Sequence, residues 1–318
     1  PLKKGIGWGK EHYWLWHGIK CHWRILGEGN QGGSIVFIHG FGASSGHWRN
    51  NANFFASKGY EVYALDLIGF GQTDQPSRKV LKVLDNKIWS KQLNDFLLEI
   101  VKINKDNKVI LIGNSLGSLV ALTTYYLRSD LISALIASPL PDPAFMQNLI
   151  NIKNKYLINI INKITSLFFK LLPLEILIPL ISKTFLIKLA LQGAYKKSIL
   201  RDYELLRLIK KPALRASSAM ALRAMCIGMA TREISITAPF ILRNIDKFEY
   251  KIPFLLLWGE EDRFVPILIA KQIVKSYDWI ELLTLENTGH CPHDESPDDF
   301  NNFVLKWLDI NLVNNKEK

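Results

Sequence analysis

The sequence predicts an α/β protein: a mostly parallel sheet with helices on both faces and an inserted helical cap. Short, nearly all-apolar segments alternate with helical segments up to about residue 142, and the same alternation resumes after residue 252. Between them the apolar residues recur only at helical spacing. Such alternation is typical of a parallel sheet covered on both faces. We therefore predict core segments at 1–142 and 252–318, separated by a cap at 143–251.

The individual elements follow from local patterning. Aromatic and β-branched residues around a Gly turn predict a hairpin over 12–25. Short apolar runs predict strands at 34–38, 60–65, 109–112, 131–137, 253–258 and 279–285. Apolar residues at helical spacing predict helices at 88–103, 117–127, 268–277 and 298–308. Within the cap, the same spacing predicts helices at 160–171, 174–181 and 185–191.

Composition excludes several protein classes. The chain has 318 residues, 48% of them hydrophobic and 22% charged, which fits a globular protein with a large core and excludes a disordered or collagenous one. Three cysteines are too few for a disulfide framework. The uncharged stretch 109–127 has membrane-spanning length, but Gly113 and Gly117 divide it into a strand, a turn and a helix. Because no apolar run follows the basic start, we expect a cytoplasmic protein of bacterial or plastid type that is not secreted.

The positive charge is concentrated in the cap. Residues 144–251 carry 18 Lys and Arg against 6 Asp and Glu, within a chain of net charge +11. A basic segment can meet nucleic acid, anionic lipid or an acidic substrate. No nucleic-acid-binding motif accompanies it, so we predict no nucleic-acid partner and leave peripheral contact with an anionic membrane open. The sequence does not determine the oligomeric state.

A nucleophile is predicted at Ser115. The segment Gly113-Asn114-Ser115-Leu116-Gly117 matches the G-x-S-x-G elbow, in which a serine occupies a tight strand-to-helix turn between small residues. The apolar run before it predicts a strand, and the run after it predicts a helix. This context favours a functional elbow over an incidental serine in a glycine-rich turn.

A serine needs an oriented base and an acid. His290 follows the last predicted strand, and Asp262 follows the strand before it, which gives the order Ser115, Asp262, His290. Asp142 follows the strand at 131–137 and is the alternative acid. The backbone N–H groups of Phe41 and Leu116 are the expected donors to the developing oxyanion. His39, directly before this loop, is expected to brace it rather than to titrate.

With these residues in place, the chain resembles the α/β-hydrolase superfamily over essentially its whole length. The matching segments are HGFG at 39–42, DLIGFGQTDQP at 66–76, GNSLG at 113–117, WGEEDRFVP at 258–266 and GHCPHDESP at 289–297. The resemblance implies the α/β-hydrolase fold and a Ser-His-Asp triad. The elbow and the loop after His39 look most like cyanobacterial and plastid hydrolases of the pheophytinase-like group.

Two neighbouring families differ at chemically important positions. Residues 66–76 resemble haloalkane dehalogenases and epoxide hydrolases, which use an aspartate nucleophile where this chain has Ser115. Meta-cleavage C–C hydrolases share a similar elbow. They usually have a glycine-rich stretch where Phe41 stands and a tryptophan where Cys291 stands. These departures favour ester cleavage over the other two reactions.

The predicted function is therefore a serine hydrolase that cleaves a hydrophobic ester, of prenyl, pigment or lipid type, through an acyl-enzyme. The alternatives are a C–C hydrolase and a non-catalytic lipophile-binding protein. No cofactor and no metal is expected, because the His290–Asp294 cluster lacks a second ligand group. The apolar faces of 160–171 and 222–229 are expected to line or cover a tunnel above the nucleophile. The candidate pocket residues are Trp48, Leu140, Phe168, Leu222, Met225 and Met229.

Overall fold

An eight-stranded sheet forms the centre of the computed structural model, which describes residues 8–75, 83–145, 155–183 and 185–313. The strand order is β1-β2-β4-β3-β5-β6-β7-β8. β1 and β2 pair antiparallel, as do β2 and β4, while every later pair is parallel. This confirms the predicted mostly parallel sheet. The strands are β1 (Lys10–Trp16), β2 (Ile19–Leu26), β3 (Ser34–Ile38), β4 (Glu61–Leu65), β5 (Val109–Asn114), β6 (Ile132–Ser138), β7 (Phe254–Gly259) and β8 (Ile280–Leu285).

Helices cover the sheet on both faces and fill the insertion. Those of the core are α1 (Ala52–Ser57), α2 (Asn86–Phe96), α3 (Leu116–Leu127), α9 (Ala238–Ile245), α10 (Ile267–Ser276), α11 (Pro292–Glu295) and α12 (Pro297–Val313). Between β6 and α9 lie α4 (Lys155–Leu171), α5 (Leu174–Lys183), α6 (Leu186–Gln192), α7 (Tyr203–Ala213) and α8 (Ser218–Thr231). Among the described residues of the insertion no strand occurs, in agreement with its helical periodicity.

Helix α2 is shorter than its apolar spacing predicts. Asp85 caps its N-terminus by accepting hydrogen bonds from the N–H groups of Lys87 and Ile88. Beyond Phe96 the chain continues as a π-helical turn over Leu97–Val101, and Lys102 ends that turn at a φ of 60°. Apolar residues continue through the π-helical turn in the sequence, so their spacing could not indicate that the α-helix ends at Phe96.

The two faces of the sheet bury separate apolar clusters. One cluster joins the N-terminal hairpin to α2 and α3, and the other joins α1 and α12 to the opposite face. Trp14 and Trp16 are buried in the first cluster, and their indole N–H groups donate to Glu99 and Asp95 at 2.9 and 2.8 Å. The N-terminal hairpin therefore packs on the core through these tryptophans.

The inserted helices pack on one another above the carboxyl ends of the strands. Helices α4 and α5 both contact α8, whereas α9 contacts α3 in the core. Arg223 of α8 is buried, and its guanidinium donates to the carbonyls of Phe169, Lys170 and Leu172 at 3.0, 2.9 and 3.1 Å. These bonds satisfy carbonyls that the end of a helix leaves without intrahelical partners. The domain limits at 143 and 251 stay predictions.

Among the described residues, no single helix is long and apolar enough to cross a bilayer. Only Lys163–Leu171 and Leu174–Ile181 taken together reach that length and composition, and they are bent by 72°.

Candidate active site

Ser115 lies on the turn between β5 and α3, at the carboxyl edge of the sheet. Its φ of 53° and ψ of −119° place a non-glycine residue in a strained region of backbone space. The flanking glycines make this turn possible. A Cβ on Gly117 would stand 2.1 Å from the carbonyl oxygen of Ile38, and one on Gly113 would stand 2.5 Å from the carbonyl carbon of Gly117. The elbow therefore depends on close backbone approach, as the G-x-S-x-G pattern predicts.

Ser115, His290 and Asp262 form one hydrogen-bonded chain. The Nε2 atom of His290 lies 2.9 Å from the Oγ atom of Ser115, and its Nδ1 atom lies 2.8 Å from the Oδ2 atom of Asp262. With a carboxylate oxygen as acceptor, Nδ1 carries the proton and Nε2 accepts from the serine hydroxyl. The structure thus brings together the three residues that the sequence placed 175 and 28 positions apart.

Both oxygens of Asp262 are engaged. While Oδ2 accepts from His290, Oδ1 accepts from the N–H groups of Phe264 and Val265 at 2.8 and 3.0 Å. The indole N–H of Trp258 donates to the Val265 carbonyl at 2.9 Å and fixes the same loop. The carboxylate is buried and held in one orientation.

The alternative acid, Asp142, serves a different part of the structure. Its carboxylate is fully buried, pairs with Arg232 and accepts from the Ala238 N–H at 2.7 Å. These bonds tie the end of β6 to the start of α9 and leave no oxygen directed at His290. The sequence alone could not exclude Asp142, because it follows a neighbouring strand at the same edge.

The loop after β3 carries Phe41, and Leu116 is the first residue of α3. His39 supports this loop: it accepts from the Leu67 N–H at Nε2, 3.0 Å away, and donates from Nδ1 to the Gly40 carbonyl at 2.8 Å. Burial lowers the pKa of His39, so the neutral ring is favoured. His39 thus braces the loop. The oxyanion role of the Phe41 and Leu116 N–H groups stays a proposal.

Two residues that the sequence analysis did not select position His290 and its loop. Asn114 donates from Nδ2 to the carbonyls of Ser138 and His290 at 2.6 and 3.2 Å, and so links β6 to the histidine loop. The buried Glu295 accepts from the Gly289 N–H at 2.7 Å. The His290 N–H donates to the Ala194 carbonyl of the cap at 2.7 Å. Asn114 lies inside the elbow motif, which is the only signal that could have indicated it.

A cavity of about 270 Å³ opens beside the loop that follows β3. Phe41 and Phe70 line it from the core, and Leu222 and Met225 line it from α8. Gln75 and Ser218 are the polar side chains of its wall, and no charged side chain lines it within the described part of the chain. Ser115 is not itself in this wall, so Phe41 is the residue shared by the cavity and the expected oxyanion site.

The predicted pocket residues divide between the cavity and other locations. Leu222 and Met225 line the cavity. Trp48 is fully buried against Phe37 in the apolar cluster on the opposite face of the sheet, with the two ring centroids 4.4 Å apart. The assignment of Trp48 to the pocket is therefore wrong. Leu140 is likewise fully buried in the core.

Phe168 and Met229 are also outside the cavity wall. Phe168 is 56% exposed on the outer side of α4, so the expectation that the apolar face of 160–171 covers the pocket is wrong for this side chain. Helix α4 instead turns a different side towards α8. Met229 packs partly buried against the core at the end of α8.

In the part of the chain that the structure describes, no group of three or more His, Cys, Asp or Glu side chains could hold a metal ion. His293, in the cluster that begins at His290, is buried between Trp48 and Phe300.

Comparison with known proteins agrees with this architecture. The model of the alpha/beta hydrolase family matches residues 35–303. A 2-hydroxy-6-oxo-6-(2'-aminophenyl)hexa-2,4-dienoic acid hydrolase from Metapseudomonas resinovorans is 38% identical over 112 residues, covering 34% of this chain and 36% of the relative. Epoxide hydrolase 3 of Xenopus tropicalis is 24% identical over 92% of this chain and 75% of its own length. A solved esterase from Thermogutta terrifontis matches with a TM-score of 0.66 at 17% identity, over 94% of this chain and 98% of the esterase. Because the family model matches most of the chain, this protein is a hydrolase that belongs to the alpha/beta hydrolase family.

Proposed function

We propose that this protein is a serine hydrolase that cleaves a hydrophobic ester, of lipid, prenyl or pigment type, through an acyl-enzyme. The observation that carries the proposal is the hydrogen-bonded chain from Ser115 through His290 to Asp262 at a strained strand-to-helix turn. This arrangement matches the requirements for an activated serine nucleophile. The resemblance to pheophytinase-like hydrolases is consistent with a bulky apolar alcohol moiety.

Each residue has a defined role in the proposed reaction. The Ser115 Oγ atom attacks the acyl carbon while its proton passes to Nε2 of His290, and Asp262 stabilises the imidazolium that forms. The N–H groups of Phe41 and Leu116 stabilise the oxyanion, a contribution whose removal typically costs 10²–10³ in rate. Collapse of the intermediate expels the alcohol, which takes the proton from His290. Water then releases the acid from the enzyme by the same sequence of proton transfers.

The lining of the cavity favours an uncharged substrate. Its wall is apolar apart from Gln75 and Ser218, and none of the described residues that line it is a cation able to pair with a substrate carboxylate. Burying an unpaired carboxylate there would carry a large desolvation cost. A long acyl or prenyl chain gains about 0.8 kcal/mol for each buried CH₂ group.

A second candidate is a C–C hydrolase, because a relative that is 38% identical over 112 residues is named a hydrolase of a 2-hydroxy-6-oxo-dienoic acid. A ring-cleavage diketone acid tests this candidate directly. The serine nucleophile argues against epoxide opening, which requires a carboxylate at the elbow. Non-catalytic binding of a lipophile is the third alternative.

Two experiments test the proposal. A fluorophosphonate probe should label wild-type protein and fail to label Ser115→Ala, whereas a binding protein would remain unlabelled in both forms. Measuring kcat/KM over acetate, medium-chain, long-chain and phytyl-type esters should show a rise with chain length. A series that favours acetate, or turnover of the diketone alone, would refute the hydrophobic ester as substrate.

A further inference from the structure

Helices α4, α5 and α6, with Phe185 just before α6, carry large apolar side chains that no part of the chain described by the structure covers. Nine large apolar side chains there are at least half exposed, and we call them together the cap apolar surface. They are Ile164, Leu167, Phe168, Leu171, Ile176, Leu180, Phe185, Leu186 and Leu189. Surface apolar residues are ordinarily scattered singly, whereas a contiguous patch indicates an interaction site.

Contacts from α8 fix the position of the cap apolar surface. The guanidinium of Arg223 bonds to three carbonyls at the end of α4 and pairs with Glu175 at the start of α5, at 2.6 Å. The two helices meet there at 72° and both pack on α8. One side of α4 and one side of α5 already pack on α8. The apolar residues on the remaining sides of these two helices are therefore exposed.

Basic residues border the cap apolar surface. At 100° per residue, Lys163, Leu167 and Lys170 fall within a narrow arc of α4, with Leu171 and Ile164 adjacent. Both lysines are exposed, and neither forms an ion pair with any residue that the structure describes. An apolar arc flanked by free lysines is the arrangement of a helix lying in the interface of an anionic bilayer.

The charge distribution distinguishes between two possible occupants. If a second copy of this chain covered the surface with two-fold symmetry, the same patch of both copies would enter the contact, and with it the lysines of both. That arrangement places like charges together at the edge of the contact, within a segment carrying 18 basic and 6 acidic residues. Anionic headgroups would instead neutralise those lysines, each of which gains from the surface potential.

Helix α5 separates the surface from the cavity. It contributes Ile178 and Ile181 to the cavity wall, while Ile176 and Leu180 of the same helix face outward. Ile181 is also 39% exposed, so a lipophilic molecule leaving the bilayer would meet apolar side chains on both sides of α5. We propose that the cap apolar surface docks this protein onto an anionic membrane, with α4 to α6 lying in the headgroup region.

Vesicle flotation tests this proposal without any measurement of turnover, so its outcome is independent of the proposed esterase activity. The vesicles are phosphatidylcholine alone or phosphatidylcholine mixed with phosphatidylglycerol, each at low and high salt. Wild-type protein should float with the anionic vesicles, less with the neutral ones, and less as salt rises. Absence of binding to anionic vesicles at low salt would overturn the proposal.

Matched variants locate the contact. The triple change Leu167→Ser, Leu171→Ser and Ile176→Ser should lower the partition coefficient at least about tenfold. A control removes the same number of exposed apolar side chains outside the cap, through Leu15→Ser, Leu268→Ser and Ile310→Ser, and should leave binding unchanged. Thermal unfolding verifies that both triple variants fold. Equal losses in the two would show that the cap apolar surface is not the docking site.

A second pair of variants tests the charge. Lys163→Gln with Lys170→Gln should reduce binding to anionic vesicles roughly tenfold and flatten its salt dependence. Lys275→Gln with Lys306→Gln, outside the cap, is the matched control for total charge. Sedimentation velocity across a concentration series identifies self-association. A dimer that the cap triple variant abolishes, together with no vesicle binding by the wild type, would assign the surface to a second copy and refute membrane docking.

Discussion

Replacing Asp262 with asparagine is expected to lower kcat for an ester by roughly 10⁴ without unfolding the protein. In the wild type, Oδ1 of Asp262 faces two N–H donors, those of Phe264 and Val265, and Oδ2 faces Nδ1 of His290. An asparagine NH₂ group cannot face the two N–H donors, because donors would then oppose donors. The amide must therefore direct its NH₂ group at His290.

This forced orientation explains the size of the effect. A donor opposite Nδ1 selects the tautomer that carries its proton on Nε2, so the ring can no longer accept the Ser115 proton. The loss corresponds to about 5.4 kcal/mol of transition-state stabilisation. Stopped-flow or steady-state hydrolysis of a chromogenic ester by purified, folded Asp262→Asn measures it. Retention of more than a few per cent of wild-type activity would refute the assignment of the acid.

Asp142→Asn provides the matched control, since it makes the same change in the alternative acid. It weakens a buried pair with Arg232 and a bond to the Ala238 N–H, so it should lower the free energy of unfolding by about 3 kcal/mol. Turnover of the folded fraction should remain close to that of the wild type. If Asp142→Asn lowers turnover more than Asp262→Asn does, Asp142 and not Asp262 is the acid.

Four further predictions concern other parts of the structure. Ser115→Gly and Ser115→Ala should both abolish hydrolysis, but the glycine variant should be more stable by about 1 kcal/mol in chemical denaturation, because only glycine relieves the strain at a φ of 53°. Leu222→Trp should fill part of the cavity and lower kcat/KM for long-chain esters more than for acetate esters. An equal loss on both would show that the cavity does not bind the long chain. Arg223→Ala leaves three carbonyls unpaired, so it should destabilise the cap by about 2 kcal/mol and speed hydrogen exchange in α4, whereas unchanged exchange would contradict its anchoring role. Burial opposes ionisation of Asp66, but the hydrogen bond and charge of His22 prevail and hold the pKa of its carboxyl well below its usual range. Since the folded pKa is the lower one, this stabilisation is present above about pH 4 and lost as the pH falls, so Asp66→Asn should flatten the acid side of the stability profile.

Much of the core was predictable because its signals are local. Strands β3 and β5 and helix α3 are short apolar segments that each adjoin a glycine-containing turn, and each begins within one residue of its predicted start. The elbow at Ser115 was equally visible, since a strained turn between closely approaching backbones requires glycine at fixed positions. The order of the acid and the histidine then followed from the strands that precede them.

The cap was predictable as helix but not as packing. The apolar side chains of α4 recur with the correct period, and that period is the same whether the stripe faces the core, a cavity or solvent. The prediction that Phe168 lines the pocket failed for this reason, because the contacts of α8 and the bonds of Arg223 determine which side of α4 points inward. Trp48 was misassigned because burial between the sheet and α12 leaves no periodic signature in so short a segment.

By itself the sequence determined the α/β architecture and indicated Ser115 and His290 as the candidate nucleophile and base, because backbone geometry and strand order constrain those residues locally. Only the tertiary structure decided between Asp262 and Asp142, two aspartates that both follow strands ending at the same edge of the sheet. The deciding contacts come from residues far along the chain: His290 faces Asp262, while Arg232 and Ala238 occupy the oxygens of Asp142. Such pairings depend on how the insertion returns to the core, and a sequence motif contains no information about distances that only folding creates.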